Sequence, residues 1–169
     1  MRFVTGQGRY TDDIDMPGQL HAAFVRSDQA HGEIVRIDTD AARRMPGVVA
    51  IYTGEDLRQS GVGFIHRVPL KGFDTGQTLD TPRPGLAQDR VRHVGEPVAV
   101  VIAETAAQAG DAAAEIKVSI TPLPCITRPE DATAKEAPIL WPGAPNNISI
   151  HWQTSDPAAV DAAFARAAH

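Results

Sequence analysis

The chain has 169 residues, with 16 Lys and Arg against 21 Asp and Glu, a formal net charge of −5 and one cysteine. A chain of this length folds as one domain or two small ones and buries about 70% of the surface its unfolded form exposes. The acidic balance lacks the basic stripe that nucleic-acid binding needs, and a lone cysteine excludes a disulfide framework, a CxxC redox pair and a thiolate metal cage.

The first segment, 1–19, is turn-rich and weakly apolar, and needs other structure to hold it. Its opening, Met1-Arg2-Phe3-Val4-Thr5-Gly6, carries no apolar run of signal-peptide length. No stretch anywhere approaches the 18 or so apolar residues of a spanning helix. These features predict a soluble, cytoplasmic protein, with periplasmic export left open for a longer parent.

Residues 20–26 and 33–38 read as strands, the second with Ile34, Val35 and Ile37 as a β-branched packing surface. Thr39 is placed to cap a short helix that Pro46-Gly47 stops, and 48–52 then reads as a buried strand. The connector is short for a parallel crossover, so the direction of pairing stays open. From 53 to 89, glycine and proline break every regular pattern, as in loops that are functional or packed on something else.

Order resumes at 90–94. Residues 98–103 are apolar at successive positions, the pattern of a central strand covered on both faces. Residues 105–116 form the clearest helix, with Thr105 and Gln108 as a capping box and Ala109, Ala112, Ala113 and Ile116 on one face. Residues 117–121 alternate as a half-exposed strand. A proline-punctuated tail then leads to a strand candidate at 148–154 and to a last helix opened by Asp156-Pro157. The chain stops on or just after that helix without a glycine cap, which reads as the end of a fragment.

Templates for chemistry match poorly. Gly6-Gln7-Gly8 lacks the strand and helix that a phosphate loop needs, so it reads as a turn. Asp12, Asp13 and Asp15 fail as a calcium loop, because Pro17 and Phe24 occupy ligand positions. His21, His31, His66, His93, His151 and His169 never fall at zinc-ligand spacing. Cys125 has no visible base and reads as a buried, inert thiol. Asn147-Ile148-Ser149 matches a glycosylation sequon without a secretory signal. No residue is assigned a catalytic, cofactor-binding or metal-binding role.

Four stretches nevertheless carry a joint pattern. They are Val4-Thr5-Gly6-Gln7-Gly8-Arg9-Tyr10-Thr11-Asp12-Asp13-Ile14, Pro17-Gly18-Gln19-Leu20-His21-Ala22-Ala23-Phe24-Val25-Arg26-Ser27, Pro46-Gly47-Val48-Val49-Ala50-Ile51-Tyr52-Thr53-Gly54-Glu55-Asp56-Leu57, and Val94-Gly95-Glu96-Pro97-Val98-Ala99-Val100-Val101. In this order the chain resembles the amino-terminal α/β-hammerhead domain of the molybdopterin-binding large subunit of the xanthine dehydrogenase, aldehyde oxidase and carbon monoxide dehydrogenase family. The likeness continues through Ala107, Asp111, Ala112, Ala113, Pro122-Leu123-Pro124 and Asp161-Ala162-Ala163-Phe164. It departs at Asp28-Gln29-Ala30-His31, which keeps a histidine but loses the family's usual proline, and over 53–89, where little matches.

The resemblance implies an α+β fold: a mixed sheet with two or three short helices packed on it. It implies a lead-in over 1–19, a hammerhead core over 20–124, and a tail over 125–169 leading toward a cofactor-binding region. The parent would oxidise small aldehydes, N-heterocycles or related substrates with oxygen from water. Molybdenum-molybdopterin would sit in that parent and not in this chain, with iron–sulfur clusters and FAD on partner subunits or domains. This chain is then expected to be a structural and interface element without turnover of its own, making contact through the 53–89 loop and the terminal helix. The rivals are a free-standing adaptor module of the same fold and a small metal-dependent hydrolase using the scattered histidines with Asp12 or Asp13.

Overall fold

A computed structural model describes residues 3–65, 81–150 and 156–167. The strands are β1 (His21–Arg26), β2 (Gly32–Asp38), β3 (Val48–Thr53), β4 (Arg90–Val91), β5 (Pro97–Ala103) and β6 (Lys117–Pro122). The helices are α1 (Gly54–Gln59), α2 (Ala106–Glu115) and α3 (Pro157–Arg166). This is the α+β class expected. The pairing differs from the single mixed sheet expected: among the described residues there are two three-stranded sheets, ordered β1-β5-β3 and β4-β2-β6, and every pairing is antiparallel. The short connector between β2 and β3 explains the difference. It cannot return a strand parallel to its predecessor, and instead hands the chain from one sheet to the other.

The chain divides into two compact units, one of Met1–Gly63 with Pro84–Pro124 and one of Phe64–Arg83 with Cys125–His169. Both sheets lie in the first unit. There β5 is the centre of its sheet, as its unbroken apolar run predicts. Its inward residues Ala99 and Val101 join Ile51, Ala42, Ala112 and Ile116 in one core cluster. A second cluster sets Val98 against Val91 and Ala87, flanked by Ile34, Ile37, Val118 and Ile120 of the other sheet. Complete burial of a Val or Ile side chain contributes about 1.5–3 kcal/mol, so these few residues hold much of the unit's stability.

Helix α2 lies over the first sheet because its contact face is alanine: Ala109 and Ala112 are fully buried and Ala113 packs beside them. The Thr105 hydroxyl caps it by accepting from the Gln108 amide at 3.2 Å. Its own proton goes to Gln108 Oε1, so the reciprocal half of the expected capping box is not formed with the Thr105 backbone. The helix expected after Thr39 is a single 3-10 turn, Ala42–Arg44. Thr39 does not cap it; its hydroxyl accepts from Arg43 Nε, while Arg43 Nη2 donates to the Ile51 carbonyl.

Within the 53–89 segment the described residues 53–65 and 81–89 are more ordered than their glycines suggest. Thr53 and Asp56 close a two-way cap on α1: the Thr53 hydroxyl accepts from the Asp56 amide, and Asp56 Oδ2 accepts from the Thr53 amide at 2.7 Å. Gly54 is buried where a Cβ would collide with the Ala87 carbonyl, so no larger residue fits this close approach. Leu86 and Ala87 are themselves buried.

In the second unit, α3 is opened by the Asp156 carboxylate, which accepts from Ala158 and Ala159 amides. Phe164 is 75% exposed on it. Of the strand expected at 148–154, residues 148 and 149 are irregular and Ile150 makes a bridge, whereas 151–155 lie outside the described residues.

Candidate functional site

Two of the sequence motifs meet at facing turns of the first unit, 27–31 after β1 and 92–96 before β5. The Ser27 amide donates to the Glu96 carbonyl at 2.9 Å, and the Gly95 amide donates to the Ser27 carbonyl at 2.8 Å. Arg26 Nη1 reaches the Gly95 carbonyl at 2.8 Å. Gly95 sits at φ +86°, the left-handed region that favours glycine. Thus Arg26-Ser27 and Gly95-Glu96, separate motifs in the sequence, are one object in the fold.

The polar side chains of this knot are spent inside it. The Ser27 hydroxyl accepts from the Gln29 amide and donates to the Gln29 carbonyl, closing its own turn. Buried Glu96 accepts from the Arg92 amide, which ends β4 after two residues where 90–94 was expected to continue. Exposed His93 places Nδ1 3.6 Å from the same carboxylate. Burial pushes the half-buried Arg92 guanidinium down from its ordinary value, against the pull of the Asp89 and Glu96 carboxylates.

His31 is buried, and its Nδ1 lies 2.7 Å from the Pro124 carbonyl. A carbonyl only accepts, so Nδ1 carries the hydrogen of this bond. Nε2 is buried without a hydrogen-bond partner. Ser27, His31 and Glu96 therefore do not form the bonds of a catalytic relay. A triad needs the base bonded to both the nucleophile and an orienting acid, and neither nitrogen of His31 is engaged that way.

The other candidates are dispersed. Gly6 takes φ +70° in a turn, and a 3-10 turn, Thr11–Asp13, follows where a phosphate loop would need a helix. Asp13 Oδ2 accepts from the Tyr10 amide, and Asp15 Oδ1 accepts from Gln19 Nε2. His21 lies on β1; His66, His151 and His169 lie outside the described residues. Among the described residues no three His, Cys, Asp or Glu side chains come together as metal ligands. Cys125, expected to be buried, is exposed: strand β6 ends at Pro122, and the chain leaves its sheet before the thiol.

Asn147 holds a role its sequon did not signal. At φ +57°, its Oδ1 accepts from the Leu140 amide while Nδ2 donates to the Ala132 and Pro138 carbonyls at 2.9 and 3.0 Å. Its amide nitrogen organises the proline-rich tail. Among the described residues no helix is long and apolar enough to cross a membrane.

The first unit thus has two antiparallel sheets, with the alanine-faced α2 lying over the first of them. Residues 5–124 match the family model described as the aldehyde oxidase and xanthine dehydrogenase a/b hammerhead domain, and the chain belongs to that family. It is 39% identical over 168 residues to the nicotine 6-hydroxylase large subunit of Paenarthrobacter nicotinovorans, covering 99% of this chain and 20% of that protein. It is 40% identical over 139 residues to the xanthine dehydrogenase molybdenum-binding subunit of Escherichia coli O157:H7, covering 79% of this chain and 17% of that one. The solved structure of a Cu,Mo-CO dehydrogenase in its carbon monoxide reduced state superimposes with a TM-score of 0.73 at 32% identity, over 98% of this chain and 21% of that chain. The chain thus spans about a fifth of the length of the curated relatives it matches.

Proposed function

We propose that this chain is the leading α/β-hammerhead domain of a molybdenum hydroxylase large subunit, acting as a structural and interface element without turnover of its own. The observation that carries the reading is the match to relatives named as large or molybdenum-binding subunits, which runs through nearly the whole chain. The internal chemistry agrees with it, because the motif residues Arg26, Ser27, Gly54, Gly95 and Glu96 serve backbone geometry and mutual contacts.

In that parent, molybdenum-molybdopterin supplies the oxidation of a small aldehyde, N-heterocycle or related substrate with oxygen from water. Iron–sulfur and FAD subunits or domains carry the electrons away. No role in holding the molybdenum group is assigned to the described residues of this chain. They bring no set of metal-ligating side chains together, and the one buried side-chain nitrogen or oxygen without a partner is the single atom His31 Nε2. No chemical step is assigned to them. Domain bounds follow the same reading: a lead-in over 1–19, the hammerhead over 20–124 and a tail over 125–169.

The test is to read the coding sequence past His169, express the encoded subunit with its neighbours, and measure molybdenum and substrate oxidation. The full subunit is expected to carry molybdenum and oxidise an aldehyde or N-heterocycle, and the 169-residue chain neither. Stoichiometric molybdopterin or turnover in the short chain sinks the proposal. A natural stop codon at that point favours the adaptor module instead.

A further inference from the structure

The first sheet has two faces, and only one is covered by α2. On the other, the registers align Phe24 with Val100 and Tyr52 in one row, and Ala22 with Ile102 and Ala50 in the next. Phe24 is 50% and Tyr52 46% exposed, while Val100 and Ile102 are half-buried. The corresponding face of the second sheet carries Glu33, Arg36, Asp38, Lys117, Ser119 and Thr121.

We propose that the outer face of the first sheet, centred on Phe24, Val100 and Tyr52, is the surface on which the remainder of the large subunit docks. The docking surface is an uncharged, apolar one that brings a hydrogen-bond acceptor to the Tyr52 hydroxyl. This rests on the reading of the chain as the leading domain of such a subunit.

Three observations select that occupant. Strand β5 is apolar at successive positions, the composition of a strand covered on both faces, yet Val100 and Ile102 are still partly open. The curated relatives extend well beyond the match, which takes up 20% and 21% of their length. The six positions are uncharged. The Arg26 guanidinium lies 5.5 Å from the Phe24 ring centroid and is already committed to the Gly95 carbonyl.

A second copy of this chain is the weaker occupant on area. Two rows of three side chains, at about 4.8 Å between strands and about 6.8 Å between rows, span on the order of 200 Å². A stable dimer takes roughly 800 Å² from each partner. A domain tethered on the same chain docks at high effective concentration and needs less. Tyrosine suits such a surface, since its ring is buried while its hydroxyl finds a partner.

Hydroxyl-radical footprinting of the full-length subunit, assembled with its partners, tests the assignment, with the urea-unfolded subunit as the unprotected reference. Phe24 and Tyr52 are expected to be protected about tenfold, as residues in a packed interface core are, while Lys117 remains as open to acetylation as in the unfolded chain. Phe24 and Tyr52 that stay reactive in a molybdenum-loaded full-length subunit overturn this inference and leave the function standing. A coding sequence that ends at residue 169 overturns the function and this inference with it. Native mass measurement of the 169-residue chain supplies the remaining arm: a dimer broken by Tyr52→Lys makes a second copy the occupant and overturns the proposal. In the full-length subunit, Tyr52→Lys is expected to raise protease sensitivity at the domain join. Lys117→Glu, on the polar face, is expected to leave it unchanged.

Discussion

The two sheets of the first unit have three strands each and share one core, but their outer faces follow opposite rules. On the second sheet, apolar and polar residues alternate along β6, so that Val118 and Ile120 face the core and Lys117, Ser119 and Thr121 face water. On the first sheet the alternation fails: β5 is apolar on both sides, and its edge strands add Phe24 and Tyr52 to the outside. A sheet meant to meet water on one face alternates, whereas one meant to be covered does not. The contrast lies in side chains alone, since both sheets are antiparallel.

Adjacent residues of β3 provide the sharpest test, because Ile51 faces the core at 2% exposure and Tyr52 faces outward. Ile51→Ala is expected to cost about 2–5 kcal/mol in denaturant unfolding, the usual range for emptying a core site. Tyr52→Ala in the same 169-residue chain is expected to cost less than about 1 kcal/mol, as an outward position does. Equal losses would mean that the outer face is already packed in this chain, and the comparison would fail.

Gly54→Ala comes next. Its new methyl meets the Ala87 carbonyl, a backbone atom that cannot rotate away, and overpacking of this kind costs about 1–3 kcal/mol. Thermal unfolding followed by circular dichroism will read it.

Thr53→Ala removes the α1 cap and is expected to cost about 1 kcal/mol. Its effect depends on pH. The Thr53 hydroxyl holds the Asp56 carboxyl below its ordinary value, against a smaller opposing effect of burial. A carboxyl lowered in the folded state stabilises fully above the unfolded value of about 3.9, and the contribution is lost as pH falls through the lowered value. The difference between wild type and Thr53→Ala should therefore shrink below about pH 4 in parallel denaturant titrations.

Arg36→Gln, on the outer face of the second sheet, is expected to have the smallest effect. Its 3.0 Å pair with Asp38 is exposed, 67% and 37% on the two side chains, and pairs open to water are screened. The unfolding midpoint should not move measurably.

Local order was legible in the chain wherever a periodicity or a cap announced it. Strands β1, β2, β3, β5 and β6 and helix α2 follow from alternating or unbroken apolar runs and from Thr105. Helix α1 was missed, because glycine at its first position and the single apolar Leu57 conceal a Thr53–Asp56 cap that only the fold completes. Which strands pair was not legible: His21 meets Ala103 and Gly32 meets Pro122 across long separations that leave no local mark. The site was half legible. Arg26-Ser27 and Gly95-Glu96 stood out as motifs, but their union is made by backbone hydrogen bonds, to which side-chain identity is nearly blind. The exposure of Cys125 and the tail-organising role of Asn147 likewise depend on where the chain goes after Pro122.

The clasp at His31 has a mechanical meaning. The Leu123 amide donates to the His31 carbonyl at 2.9 Å while the His31 ring holds the Pro124 carbonyl. A pull on the chain just past Pro124 is thus shared by two anchors on one turn before it reaches the β2–β6 ladder. The last two residues of this unit are thus gripped by one turn, as a clamp holds the end of a cable.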